Sequence, residues 1–196
     1  MPTPVIAIFD IGKTNKKIIL FDEQYNLLHE DSQELREISD EDGDACEDID
    51  ALAAWVRETL SSSLQKKDIQ IKAINVSAYG ASFVHLDKYF KSVTPLYNYL
   101  KPYPKALEEK FYQTYGGVAK VTRETASPAL GSLNSGLQLY RIKHESPDVY
   151  NRIEYSLHLP QYLSYLKQEK RFLKLRALAV IRCCGILKKT GTMNGS

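Results

Sequence analysis

The sequence predicts an α/β domain: a mixed sheet opened by an antiparallel β-meander, with helices on its faces. Three observations carry this. Three β-rich runs succeed one another within the first 34 residues, joined by short links. One amphipathic helical pattern then separates them from further buried strands. The rest of the chain reads as mostly helical, an order that suits a mixed α/β domain. The composition agrees. The chain has 196 residues, 43% hydrophobic and 26% charged, which is ordinary for a globular domain and excludes a disordered tail, a collagen-like chain and a disulfide scaffold.

Val5-Ile-Ala-Ile-Phe9 is the first strand, bounded by Pro4 and by Asp10-Ile-Gly12. Lys17 to Asp22 is the second. Asn26 to Glu34 is the third, entered through the turn Asp22-Glu-Gln-Tyr-Asn26. Ser39 to Asp50 is acidic and looped. Ile49, Leu52, Ala53, Val56, Leu60 and Leu64 recur at helical spacing, so Asp48 to Lys66 is predicted helical. Ile71 to Ser77 and Ser82 to Asp87 are predicted strands, with a third short one at Pro95 to Asn98. Helices are expected over Lys105 to Tyr115 and Ser132 to Glu145, the latter ended by Ser146-Pro147. Ser156 to Leu159 reads as strand, and Pro160 opens a last helix.

No apolar run is long enough to span a membrane, and no signal peptide is evident at Met1-Pro-Thr-Pro4. Cys46, Cys183 and Cys184 form neither a disulfide framework nor a zinc spacing. A reducing cytoplasm is the expected location. His29, His85, His144 and His158 show no metal spacing.

The sharpest local feature is Phe9-Asp10-Ile-Gly12-Lys13-Thr14-Asn15-Lys16-Lys17. A buried strand ends in a carboxylate, and a glycine then allows a tight turn. Hydroxyl, amide and ammonium groups come next, before the second strand leaves. Such a turn can cradle a phosphate with backbone donors. Asp10 is suited to hold Mg²⁺ through water, and the lysines to neutralise phosphate charge. A plain hairpin turn with solvated lysines is the competing reading. Gly12-Lys13-Thr14 is not a P-loop: the required earlier glycine falls at Ala7, and a strand comes next instead of a helix. In Asp40-Glu-Asp-Gly-Asp44 the glycine comes too early for a calcium-binding EF-hand, so a solvated loop feeding a helix N-terminus is expected. Ser77 to Ser82 is a glycine-containing turn between strands that can admit a small ligand to the backbone or be an ordinary β-turn. Tyr97 and Asn98 suit a sugar face and its hydroxyls, or core and cap positions.

Taken together, these segments resemble the N-terminal domain of the FGGY family of carbohydrate kinases, over roughly residues 4 to 166. Asp10-Ile-Gly-Lys-Thr-Asn-Lys-Lys17 looks like that family's first phosphate motif. Asn75 to Asp87 looks like its sugar-site strand pair. Pro95-Leu-Tyr-Asn98 and Leu157-His-Leu-Pro-Gln-Tyr-Leu-Ser-Tyr-Leu166 stand in its order. The resemblance implies a ribonuclease-H-like domain of the actin and hexokinase superfamily. It implies in-line transfer of the γ-phosphoryl group of ATP to a sugar hydroxyl, with Mg²⁺. On this implication Asp10 organises the metal, Gly12, Lys13, Thr14 and Asn15 present phosphate donors, and Lys17 is a basic phosphate contact. Tyr79, Gly80, Ala81, Ser82 and Asn98 line the sugar. Tyr79-Gly-Ala-Ser-Phe-Val84 is similar to the turn of rhamnulose and fuculose kinases, although Ser82 replaces an acid and Tyr99 stands where many members have Asp. A deoxyketose is the first expected substrate and a ketopentose the second. The general base is expected beyond the part resembled, so the chain alone is expected to be inactive. A non-catalytic sugar- or nucleotide-binding module is the alternative. The expected partners are a small sugar and ATP, with no nucleic acid and no membrane; a homodimer stays open.

The charge is uneven. Residues 1 to 166 sum to −5, and residues 167 to 196 to +7. The resemblance stops where the charge flips. Residues 167 to 196 back-translate so that a neighbouring frame reads like the family's continuation; Ile181-Arg-Cys-Cys-Gly-Ile-Leu187 hides T-V-L-W-D-F. The tail is therefore expected to be out-of-frame sequence and not a domain. A basic tail binding anionic lipid or RNA is the competing reading.

Overall fold

The computed structural model describes residues 1–166 and the backbone of 187–188. Apart from those two residues, the tail lies outside the described part. The chain divides into two compact units. The first holds Met1–Ile38, Glu47–Gly80 and 157–166; the second holds Ser39–Cys46, Ala81–Ser156 and 187–188.

The first unit is built on a four-stranded sheet. Strands β1 (Thr3–Ile11), β2 (Asn15–Phe21) and β3 (Leu27–Glu34) form the expected meander, and β6 (Ile69–Ala78) adds on the other side. The order is β3-β2-β1-β6, with β1 antiparallel to β2 and parallel to β6. The mixed sheet is dictated by the connections: hairpin links give antiparallel neighbours, and the crossover through helix α1 (Ile49–Gln65) gives a parallel one. Val5, Ala7, Phe9 and Ile11 alternate inward along β1, as the period of two demands. Phe9 meets Trp55 of α1 edge-on, with ring centroids 5.8 Å apart. Asp48 caps α1, its Oδ1 accepting from Asp50 N at 3.0 Å and Ala51 N at 2.9 Å, a contact worth about 1 kcal/mol. Helix α6 (Leu159–Leu166) buries Leu159, Tyr162, Leu163 and Leu166 and lies against β6 and α1. All eight residues of β3 are exposed, as suits an edge strand rich in charge.

A short two-stranded ribbon, β4 (Ile38–Ser39) and β5 (Ala45–Cys46), falls almost wholly within the stretch expected to be loop. A three-stranded sheet runs β7 (Phe83–Leu86), β8 (Tyr155–His158), β9 (Leu187–Lys188). Helices α2 (Lys105–Thr114), α3 (Val118–Thr125), α4 (Ser135–Glu145) and α5 (Pro147–Arg152) make up the rest. Other sequence expectations change as well. Pro95–Asn98 forms no strand: Pro95 has no N–H to pair, and Asn98 Oδ1 accepts from Leu100 N at 2.9 Å in a local turn. The α4 helix starts three residues late, because a 3₁₀ turn (Gly131–Leu133) precedes it and Asn134 Oδ1 accepts from Leu130 N at 2.7 Å. Helices α3 and α5 have no counterpart among the expected elements; none of their residues is buried, so neither has a core-facing stripe to read.

Candidate functional site

In the first unit, β1 and β2 are joined by a tight turn. Gly12 N–H donates to Asn15 O at 2.9 Å, so this N–H closes the hairpin. A Cβ on residue 12 would lie 3.0 Å from Asn15 O, which is why glycine fits here. Asp10, Gly12, Lys13, Thr14, Asn15 and Lys17 therefore share one hairpin. Asp10 faces Lys17 across the ladder on one side and Ser77 of β6 on the other. Lys17 Nζ donates to Glu30 Oε1 at 2.6 Å. That hydrogen bond and the Glu30 charge, with a smaller contribution from Asp10, hold the Lys17 ammonium above its ordinary pKa. Lys13 pairs with Glu37. Thr14 and Asn15 are exposed.

The alternation of β2 has a consequence missed in the sequence. Lys16 falls on the same inward parity as Ile18 and Leu20, and it is only 1% exposed. Its Nζ lies 2.6 Å from Oε1 of Glu47, itself 3% exposed, and donates to Lys13 O at 3.0 Å. Glu47 Oε2 accepts from Tyr79 Oη. Tyr79 N–H donates to Ile11 O at 3.2 Å, tying the end of β6 to the end of β1. One buried carboxylate thus touches both the lysine beneath the turn and the first of the predicted sugar residues. Glu47 directly precedes the Asp48 cap, so the cap fixes its place at the start of α1.

Gly80, exposed, belongs to the first unit; Ala81, with a φ of 60°, belongs to the second. Such a conformation is strained for a residue with a side chain. Ala81 O accepts from Gln138 Nε2 at 2.6 Å. Ser82 is fully buried and donates through its hydroxyl to Tyr97 O at 3.0 Å. Tyr97 Oη donates to Glu41 at 2.6 Å, and burial, with a smaller contribution from that carboxylate, raises its pKa. Asn98 lines a cavity of about 30 Å³ with Lys101, Tyr103, Gln138 and Arg141. That is room for a water or two.

The acidic loop is not simply solvated, a further correction. Asp40, Asp42 and Asp44 converge as the three-carboxylate cluster found among the described residues. Lys101 Nζ sits among them: it bonds Asp40, lies 2.7 Å from Asp42 Oδ2 and 3.3 Å from Asp44 Oδ2. Burial works against this ammonium, but the hydrogen bonds to the three aspartates hold its pKa above the ordinary value. The protein's own cation fills the place a metal would take.

Among the described residues, no helix is long and apolar enough to cross a membrane. The sequence profile of the FGGY family of carbohydrate kinases, N-terminal domain, matches residues 5–171. A rhamnulokinase of Yersinia pestis (strain Pestoides F) is 28% identical over 165 residues, covering 82% of this chain and 33% of that protein. The crystal structure of a carbohydrate kinase from Novosphingobium aromaticivorans matches with a TM-score of 0.71 at 24% identity, over 85% of this chain and 34% of that one. The structure of Plasmodium falciparum glycerol kinase with ADP matches with a TM-score of 0.64 at 16% identity, over 76% and 30%. At these identities the structural likeness shows the fold. The chain spans about a third of the length of the curated relatives it matches.

Proposed function

This chain belongs to the FGGY family of carbohydrate kinases, and from that premise we propose that it is the N-terminal part of an ATP-dependent kinase acting on a ketose hydroxyl. The observation that carries the reading is the hairpin of the first unit, which gathers Asp10, Gly12, Lys13, Thr14, Asn15 and Lys17 at one strand end. Phosphoryl transfer asks little covalent chemistry of a protein; it asks for position and for charge to balance the phosphate oxygens. Thr14 and Asn15 offer exposed polar groups, and Lys13 and Lys17 offer cations.

Mg²⁺ keeps several of its waters and is usually held by one or two carboxylates together with substrate phosphates. Asp10, half-buried at the end of β1, fits that demand with one hard oxygen donor. The Asp40–Asp42–Asp44 cluster does not, because Lys101 occupies its centre. When bound, the metal neutralises phosphate charge. Tyr79, Gly80, Ala81, Ser82 and Asn98 are the proposed sugar contacts. A deoxyketohexose is the proposed substrate, supported by likeness to a rhamnulokinase.

The whole reaction is proposed for a longer protein. By itself this chain binds nucleotide without turning it over. The test incubates the chain with γ-labelled ATP, Mg²⁺, and L-rhamnulose or D-xylulose. Retained ATP, reduced at least tenfold by Asp10→Asn, with no labelled sugar phosphate, is the expected result. ATP retention that Asp10→Asn leaves untouched would overturn the assignment of the hairpin.

A further inference from the structure

Glu47 stands outside the residues assigned to either substrate, yet its two oxygens face the two assigned regions. Oε1 lies 2.6 Å from the Lys16 ammonium, and Oε2 accepts from the Tyr79 phenol. Lys16 passes the contact on to the turn by donating to Lys13 O at 3.0 Å. The pair is dry: the Lys16 and Glu47 side chains are 2% and 4% exposed. In such surroundings a carboxylate is not screened, and each partner's hold on it depends on what the other partner takes.

We propose that Glu47 is a positioning residue that couples the Tyr79 phenol to the Gly12–Asn15 turn through Lys16. The proposal rests on the reading of that turn as the phosphate site and of Tyr79 as a sugar contact. When a sugar hydroxyl draws the phenol off Oε2, Glu47 turns its charge wholly to Lys16. Lys16 then loosens its bond to Lys13 O, and the turn that must hold the phosphates shifts. Sugar occupancy and phosphate binding would thus be linked through one buried carboxylate. The coupling is reciprocal: phosphate on the turn changes the affinity of Tyr79 for its hydroxyl by the same factor. A spatial chain of contacts alone does not establish coupling, so the test perturbs one end and reads the other.

The full chain is labelled with ¹⁵N, and amide spectra are compared for the native sequence and Tyr79→Phe. This change deletes one oxygen and keeps the ring. The expected result is a shift of the Lys13, Thr14 and Asn15 amides. The same change is then made in Lys16→Met/Glu47→Met, a background that replaces the buried pair with apolar side chains. There the turn amides should no longer respond to Tyr79→Phe. Turn amides that stay still in the native background, or that move equally in both, would overturn the coupling. A titration of the same samples with Mg·ATP separates the two claims. Binding elsewhere than the turn sinks the phosphate reading while the coupling is still read from the Tyr79 comparison. Binding at the turn with no effect of Tyr79→Phe on ATP affinity or on the amides sinks the coupling alone.

Discussion

Lys16 in the first unit and Lys101 in the second both put an ammonium group out of water, and they do so in different ways. Lys16 has one carboxylate, Glu47, which is as buried as itself. Lys101 has three, of which Asp40 is fully buried while Asp42 and Asp44 are 47% and 43% exposed. A pair sealed from solvent has no substitute for either member, because desolvation has already been suffered by both charges. The cluster tolerates loss of an exposed carboxylate, because water and the remaining carboxylates take over. The first arrangement fixes the geometry beneath the β1–β2 turn. The second fastens a loop.

The largest expected effect breaks the sealed pair. Glu47→Gln should destabilise the chain by about 3–5 kcal/mol. Urea unfolding monitored by Trp55 fluorescence reads this directly, since Trp55 is the single tryptophan and packs on Phe9 of β1. Lys16→Met/Glu47→Met should recover most of that loss.

The next effect belongs to the second unit. His85 is fully buried beside Ser156, whose Oγ is 2.8 Å from Nδ1, and burial pushes its pKa down to about 4. The unfolded imidazole takes its proton near pH 6.5, the folded one only near 4. Stability is therefore complete above pH 6.5, falls as pH drops toward 4, and levels below; the total is about 3 kcal/mol. Denaturation midpoints at about pH 7 and about pH 4.5 should differ, and His85→Gln should flatten that difference. The aspartates contribute lower still, since the hydrogen bond and charge of Lys101 hold Asp42 below the usual carboxylate range.

Lys101→Met should cost about 1–3 kcal/mol, the penalty of leaving Asp40 buried without its cation. Asp44→Asn should cost under about 1 kcal/mol, because its contact is long and half-wet. Ca²⁺ or a chelator should leave the melting temperature of the native chain unchanged, since Lys101 already holds the acidic loop. A rise with Ca²⁺ would show that the ammonium gives way.

The same contrast explains what is legible in the sequence. Period-two alternation and the cap at Asp48 are local signals, so β1, β2, β3 and α1 are legible to within about two residues at each end. Helix α3, with no buried face, carries no such signal. The family resemblance marks Lys17 as an expected phosphate contact, while Lys16 reads as one more solvated lysine. Its parity with Ile18 and Leu20 marks it as inward. Its partner is not legible, because Lys16 and Glu47 stand 31 positions apart (47 − 16), and Lys101 stands 61 from Asp40. Pairing at that range is decided by topology, which only the folded chain displays. Ser82 reads as a sugar-facing hydroxyl, and its fold-specific bond to Tyr97 O is equally hidden.

The most direct test of the hairpin as phosphate site titrates the ¹⁵N-labelled chain with Mg·ATP and asks which amides move. Movement is expected at Asp10, Gly12, Lys13, Thr14, Asn15 and Lys17, abolished by Asp10→Asn. Saturable movement confined to the second unit, with the hairpin silent, would contradict it.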